Sequence, residues 1–329
     1  MAPPQQLPAA STTVPEFELV DEGSDLLWQQ WSDLVRKEEW TSDDNAVLHI
    51  TPTFPTTRAV FAKSKADGSF LGCVIWNESD GLAYIGYYLV HPSGRGKGVG
   101  TAVWKRAISR IPKDLPIGLR AVPEMAENYK KWDTPLEHGS QYRFYLKCNE
   151  MRKLTTSLRT SSDSPLNIKL VSTLTAAEFD QLLAFDKEVT GRDRSSYLRL
   201  FFTIPKTEGV VAMNKEGRVV AFSAVTSTCQ HEKNYFKFAP LFASSLDVAA
   251  QLMSPLVDFS ERISPSSKFV LYTLSTTAGK DLKAEIERVF PGIQPQGDPD
   301  KTLYSMEFDN PIDISRCFIS HNCTVCYDA

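Results

Sequence analysis

No apolar run in the sequence approaches the ~18–20 residues that a membrane-spanning helix requires, and Met1 to Pro15 lack the cationic start and apolar centre of a secretion signal. A basic surplus is also missing: 36 Lys and Arg stand against 40 Asp and Glu, for a formal charge of −4. That balance disfavours a dedicated nucleic-acid binder, which carries extra cations to displace counterions from phosphates. Cysteine is sparse, with six in 329 residues (Cys73, Cys148, Cys229, Cys317, Cys323 and Cys326), and without a secretion signal these read as reduced thiols. The expectation is a cytoplasmic protein with neither membrane nor nucleic acid as partner. What is present is a hydrophobic fraction of 42% with 11% aromatics, enough for a packed interior and too much for disorder. The length is about twice the ~150 residues that serve as a prior for one domain, so two compact units are expected.

Residues 1–14 are rich in Pro, Ala, Ser, Thr and Gln and read as a flexible leader. In the unit expected over 15–151, Leu27, Trp31, Leu34 and Val35 recur at helical spacing. Three extended segments follow at 59–63, 70–76 and 82–90, separated by Asp67-Gly68 and Asp80-Gly81. Both dipeptides tolerate positive φ and signal hairpins, so these strands form an antiparallel meander. A glycine-rich turn then enters a helix whose buried face carries Val99, Ala102, Val103, Ala107 and Ile111, followed by a strand at 117–122, a helix opened by Pro123 and a strand at 142–148. The polar stretch 152–165 reads as a linker. Residues 166–312 repeat the same order of elements, a weak internal repeat of pattern without identity, and 313–329 read as a tail.

The segment with chemical content is Arg95-Gly96-Lys97-Gly98-Val99-Gly100, between a strand and a helix. Glycines let the backbone approach a ligand closely, and a helix start offers unpaired N–H groups, so the segment suits a phosphate or diphosphate. A P-loop would need Ser or Thr where Gly98 stands. A dinucleotide fingerprint would need Gly where Val99 or Thr101 stands, and both motifs grow from a parallel βαβ unit rather than a meander. With those readings excluded, the run from Tyr87 to Val103 resembles the acetyl-CoA motif of the GNAT superfamily of N-acetyltransferases, Q/R-x-x-G-x-G/A, with Arg95, Gly98 and Gly100 at its fixed positions. Met125 to Trp132 resembles the later helix in which many members place a tyrosine beside the cofactor sulfur. In the second unit, Phe185 to Arg194 and Ala239 to Ala249 are similar to the C-terminal domain of YitH-type tandem GNAT proteins, although Ala239 replaces the frequent Gly.

The resemblance implies an α/β (α+β) fold of two GNAT-like domains, each a mostly antiparallel mixed sheet with helices on both faces, the second degenerate and without its own coenzyme. It implies acetyl-CoA as co-substrate, held by the backbone at Leu89 and Val90 and by the amides of Arg95, Gly96, Lys97, Gly98, Val99 and Gly100. Tyr129 is the candidate proton donor to the departing thiolate, or else a packing residue. The base stays open among Glu78, Tyr87, Glu124 and Asp186, each with a structural alternative. Tyr87, Asp186 and Arg194 are candidates for the acceptor pocket, the last two alternatively an internal ion pair. The expected activity is transfer of acetyl to a primary amine, a small molecule bound between the domains, with available acids suiting a cationic acceptor. A protein or peptide acetyltransferase and a non-catalytic acyl-CoA sensor are the rivals, and a monomer or homodimer is expected. No metal is expected, because Cys317, His321, Cys323 and Cys326 match no structural zinc spacing and the tail shows no core pattern.

Overall fold

A computed structural model describes residues 16–38, 45–159, 166–230 and 233–321. The leader, the end of the expected linker, Cys323 and Cys326 lie outside these residues. The first half runs β1 (Phe17–Asp21), α1 (Asp25–Lys37), α2 (Asn45–Ile50), β2 (Thr57–Ser64), β3 (Phe70–Ser79), β4 (Leu82–Val90), α3 (Val99–Arg110), β5 (Ile117–Ala121), α4 (Pro123–Trp132), β6 (Leu136–Lys147) and α5 (Cys148–Leu158). The second runs β7 (Asn167–Leu170), α6 (Ala176–Thr190), α7 (Ser195–Phe201), β8 (Thr207–Met213), β9 (Val219–Ser227), β10 (Tyr235–Phe242), α8 (Leu246–Ile263), β11 (Lys268–Leu274), α9 (Thr277–Val289), β12 (Asp300–Tyr304) and β13 (Cys317–Ile319). Local chemistry sets several boundaries. The Ser24 hydroxyl caps α1, and Thr175 with Glu178 forms a capping box on α6, which Gly191 ends in the left-handed region at φ 67°. Asp80 and Gly81 take positive φ in the β3–β4 hairpin.

The described strands form a single 13-stranded mixed sheet in the order β1-β2-β3-β4-β5-β12-β6-β11-β13-β10-β9-β8-β7. The halves repeat the same element order but exchange strands. β12 pairs antiparallel with β5 (Leu303 opposite Leu119), and β6 pairs antiparallel with β11 from Lys147–Lys268 to Gln141–Leu274. The halves therefore share a sheet instead of meeting at a linker.

On one face, α1, α2, α6 and α7 share a core that includes Trp31, Val47, Leu182, Phe185, Tyr197 and Phe201. We call this the shared face. On the other face, α3 and α4 cover the first half around Val103, Trp104 and Tyr129, while α5, α8 and α9 cover the second around Leu154, Leu256 and Ile286.

Two boundaries differ from the sequence expectation. The linker range opens as helix, since Met151, Leu154 and Leu158 are buried at helical spacing and the intervening Lys, Thr and Ser dilute the pattern. The tail contains β13, whose three residues are all buried. Because Leu303 is fully buried where the halves interlock, Leu303→Ala is expected to cost about 2–5 kcal/mol. Denaturant unfolding should show one transition moving to lower midpoint for both halves; two separated transitions would contradict a common cooperative unit.

Candidate active site

β4 is the strand around which the site is built. Its antiparallel register with β3 shifts between Ile75 (opposite Tyr87) and Trp76 (opposite Ile85), so Gly86 is an extra, bulged residue. Pairing with β5 is parallel and consists of Ala83–Ile117, Tyr84–Gly118 and Ile85–Leu119. Beyond that point the strands part, and Gly86 is exposed although it lies within the sheet. The resulting notch presents the main chain of the splayed segment, including Leu89 and Val90, to any extended amide-bearing chain.

The notch opens toward the glycine-rich turn. Within that turn, Gly94 N–H donates to the His91 carbonyl at 2.8 Å, while Arg95 and Lys97 N–H donate to the Pro92 and Gly94 carbonyls at 3.3 Å. Two of the six expected anion-binding amides are thus used in shaping the loop. Gly96 and Gly98 have φ of 72° and 80°, and a Cβ on either would meet nothing within 4 Å, so they are needed for conformation and leave open space above the loop. The intrahelical ladder starts with Ala102 N–H on the Gly98 carbonyl, and the preceding amides of Val99, Gly100 and Thr101 belong to the helix start that lacks intrahelical acceptors. Arg95 acts as a clamp. Its Nε donates to the Val90 carbonyl at 3.0 Å and its guanidinium reaches Glu38 at the end of α1 at 2.7 Å.

Phenols stand beside the notch on the α3 face. Tyr88 lies on the splayed segment, where a Cβ on Gly100 would fall 2.3 Å from its hydroxyl oxygen. Its ring is 6.1 Å from Tyr129 and 5.6 Å from Trp104, and Trp132 completes the cluster. Burial raises the pKa of both tyrosines, with Tyr88 adding to the effect on Tyr129, so both hydroxyls keep their protons at neutral pH. The sequence reading did not select Tyr88; strand alternation, which turns it away from Tyr87 and toward α3, was the available signal.

Residues 21–130 match the family model for the acetyltransferase (GNAT) family. An uncharacterized protein of Caenorhabditis elegans, F36G3.2, is 37% identical over 92% of this chain and 94% of its own length. The uncharacterized N-acetyltransferase YitH of Bacillus subtilis is 24% identical over 60% of this chain and 64% of its own. Among solved structures, a tandem GNAT protein from the clavulanic acid biosynthesis pathway superposes with a TM-score of 0.66 at 16% identity, covering 89% of this chain and all of that one. The chain belongs to the GNAT superfamily, as a tandem GNAT acyltransferase.

Glu78 stands at the end of β4 opposite to the glycine-rich turn. It lies opposite Ala83 at the hairpin end of β4, six residues or ~20 Å along the strand from Leu89. There it accepts from Trp76 Nε1 at 2.8 Å and faces Arg58. Tyr87 is on the shared face of the splayed segment, edge-on to Trp31 at 5.0 Å. Asp186 and Arg194 form a buried bidentate ion pair, one arm being Nε to Oδ2 at 2.8 Å. Arg194 also lies over Phe242 and lines a cavity of about 200 Å³ with Phe54 and Asp80. That places the pair by the hairpin end of β4, away from the notch. Glu124 is exposed in the first turn of α4.

The second half contains the counterpart of the notch. β10 also carries one extra residue against β9, and its parallel pairing with β11 consists of Tyr235–Lys268, Phe236–Phe269 and Lys237–Val270. Here β13 fills the gap, with Leu241 and Phe242 opposite Ile319 and Cys317, and Thr273 opposite Ile319. His321 follows, fully buried and 2.9 Å from the Tyr197 hydroxyl. The helix beyond, α8, starts without a glycine loop: the Ser245 side chain caps Val248 N–H, and Asp247 occupies the first turn.

Two outcomes are expected. Gly98→Val forces a β-branched residue into positive φ, at about 1–2 kcal/mol. It should weaken acetyl-CoA binding in calorimetry at least tenfold with circular dichroism unchanged, whereas unaltered affinity would remove the loop from the site. Burial, with Arg194 and Lys237 adding to it, holds the His321 pKa well below the usual 6.5. The unfolded chain takes up this proton below that pH and the folded chain does not, so the contribution is complete above 6.5 and is lost on acidification by up to ~1.4 kcal/mol per pH unit. His321→Gln should remove that part of the slope in denaturation midpoints measured between about pH 5 and 7.

Proposed function

We propose that the protein transfers an acetyl group from acetyl-CoA to a primary amine on a small molecule bound on the shared face at the notch. The observation that carries this reading is the notch itself, a bulged, splayed β4 leading into a loop with two open, positive-φ glycines. These residues fit the coenzyme: the helix-start amides suit its diphosphate, and the β4 main chain suits its pantetheine amides. When bound, acetyl-CoA supplies an electrophilic thioester carbonyl and a thiol leaving group.

The chain supplies orientation and proton control. Main-chain groups of 86–90 align the thioester, and the loop amides fix the other end. Hydrogen bonds to charged groups are worth ~1.5–3 kcal/mol each, so loop geometry outweighs the ~0.3–1 kcal/mol of an exposed helix dipole. Tyr88 and Tyr129 hold protons that can stabilise the departing thiolate. An amine with pKa near 10 costs about 4 kcal/mol to deprotonate at neutral pH, so removing that proton is part of the barrier that positioning must offset.

A small acceptor is favoured over a peptide because α6 and α7 share a core with α1 and α2 and cover this face. One coenzyme per chain is expected, since β13 lies in the second gap. Thiol release with acetyl-CoA across a panel of amines tests the activity; tight coenzyme binding without acceptor-dependent release would support the sensor instead. Tyr129→Phe and Tyr88→Phe separate the phenols. The one that donates the proton should lower kcat at least tenfold with little change in acetyl-CoA affinity, and a phenol that only packs should leave kcat within about twofold.

A further inference from the structure

A larger cavity lies where the halves exchange strands. Its volume is about 300 Å³, at the small end of the ~300–1,000 Å³ that small-molecule sites occupy. Thr302 and Tyr304 of β12 and His138 of β6 line it, together with Thr276 at the start of α9 and the chain after β12. Tyr304 packs with Leu82 and Tyr84 of β4, and two further lining residues, Leu274 and Ile312, belong to the same core as Tyr87. The cavity is therefore on the shared face. Thr302 is opposite Arg120, the first β5 residue beyond the last β4–β5 pair, so the cavity is level with the start of the notch. Two interstrand spacings, about 10 Å, separate β12 from β4.

Three rings give this cavity its character. His138 stands edge-on to Tyr304 at 4.9 Å, and Phe308 lies 5.3 Å from Tyr304 at 40°. Such walls bury a flat apolar body well. Asp309 is the one lining side chain of fixed charge, and it is exposed, so a cation beside it is screened by water and gains little. No described Lys or Arg lines the cavity. Arg192 touches Phe308 and Asn310 but lines the smaller cavity with Phe54 and Asp80. A carboxylate or phosphate here would be buried without a counter-charge. Polar atoms are nonetheless present: Thr302 is almost wholly buried, and Thr276, the N-cap residue of α9, caps no amide with its side chain. The Thr276 Oγ1 is buried with no hydrogen-bond partner among the described residues. A buried hydroxyl is ordinarily paired, and a polar atom on an occupant would pair this one.

We propose that this cavity holds the far end of the acceptor, an uncharged aromatic ring bearing a hydroxyl or carbonyl that meets Thr276, while a chain across β5 carries the amine to the notch. This rests on the acetyltransferase reading above and names the substrate class of the same site.

The test is thiol release by the full chain with acetyl-CoA and primary amines of graded length. The probes are alkylamines ending in a hydroxyphenyl ring on chains of two, four and six carbons, their phenyl counterparts, unringed alkylamines of matched length, amino acids and spermidine. The longer ringed amines should exceed the two-carbon one, the unringed amines, the amino acids and spermidine at least tenfold in kcat/KM. Ile314→Trp narrows the cavity from an exposed position and should cut the ringed-over-unringed preference at least tenfold through KM, with acetyl-CoA affinity kept. Thr276→Val should cut the hydroxyphenyl-over-phenyl preference about fivefold. Equal or better use of unringed amines, amino acids or spermidine overturns the proposal. So does a ring preference that survives Ile314→Trp, or a hydroxyl preference that survives Thr276→Val. Acetyl-CoA that binds but is not consumed with any ringed amine overturns it too. Failure of acetyl-CoA to bind at all would instead overturn the underlying acetyltransferase reading.

Discussion

Main-chain pairing between β6 and β12 is the constraint on which the rest of the molecule depends. Neither strand borders the remainder of its own half in this register: β12 lies against β5 and β6 against β11, and their mutual pairing at the centre joins the two sheets. Such an arrangement brings the shared faces of both halves together, so α1, α2, α6 and α7 bury one core instead of two. It also carries Asp300, Gln141 and Arg143 to the side of the notch, and Tyr272 and Lys237 next to them.

The two halves use the same break in pairing in opposite ways. Each central strand carries a bulge and then leaves its parallel neighbour. In the first half the unpaired main chain faces an open notch above a glycine turn. In the second, β13 satisfies those hydrogen bonds internally, and burial of Cys317, Phe318 and Ile319 adds apolar area to the gap. Filling the gap exchanges an open main-chain edge for a closed ladder.

Much of this was legible in the residues. The meander followed from Asp67-Gly68 and Asp80-Gly81, α1 from the spacing of Leu27, Trp31, Leu34 and Val35, and the loop from Arg95, Gly98 and Gly100. What sequence order concealed was non-local. Glu78 looked close to the chemistry because its hairpin precedes β4, yet antiparallel register carries it to the opposite end. α5 was diluted by polar residues, and β13 is too short to show a period. The meeting of Asp300 with Arg120 and Arg143 was invisible because β12 comes from the far end of the chain, and only strand exchange lays it between β5 and β6. Asp186 and Arg194, eight residues apart in the sequence, form the internal ion pair that was one of their two readings.

The exchange also bears on biosynthesis. The sheet of the first half lacks an internal strand until residues 300–304 of β12 are available, although its own last strand ends at Lys147. On the ribosome, the edge of β5 must therefore wait through the synthesis of more than a hundred further residues before its partner emerges. A nascent chain of this design carries an exposed pairing edge for most of its translation, a period in which chaperones and neighbouring chains compete for that edge.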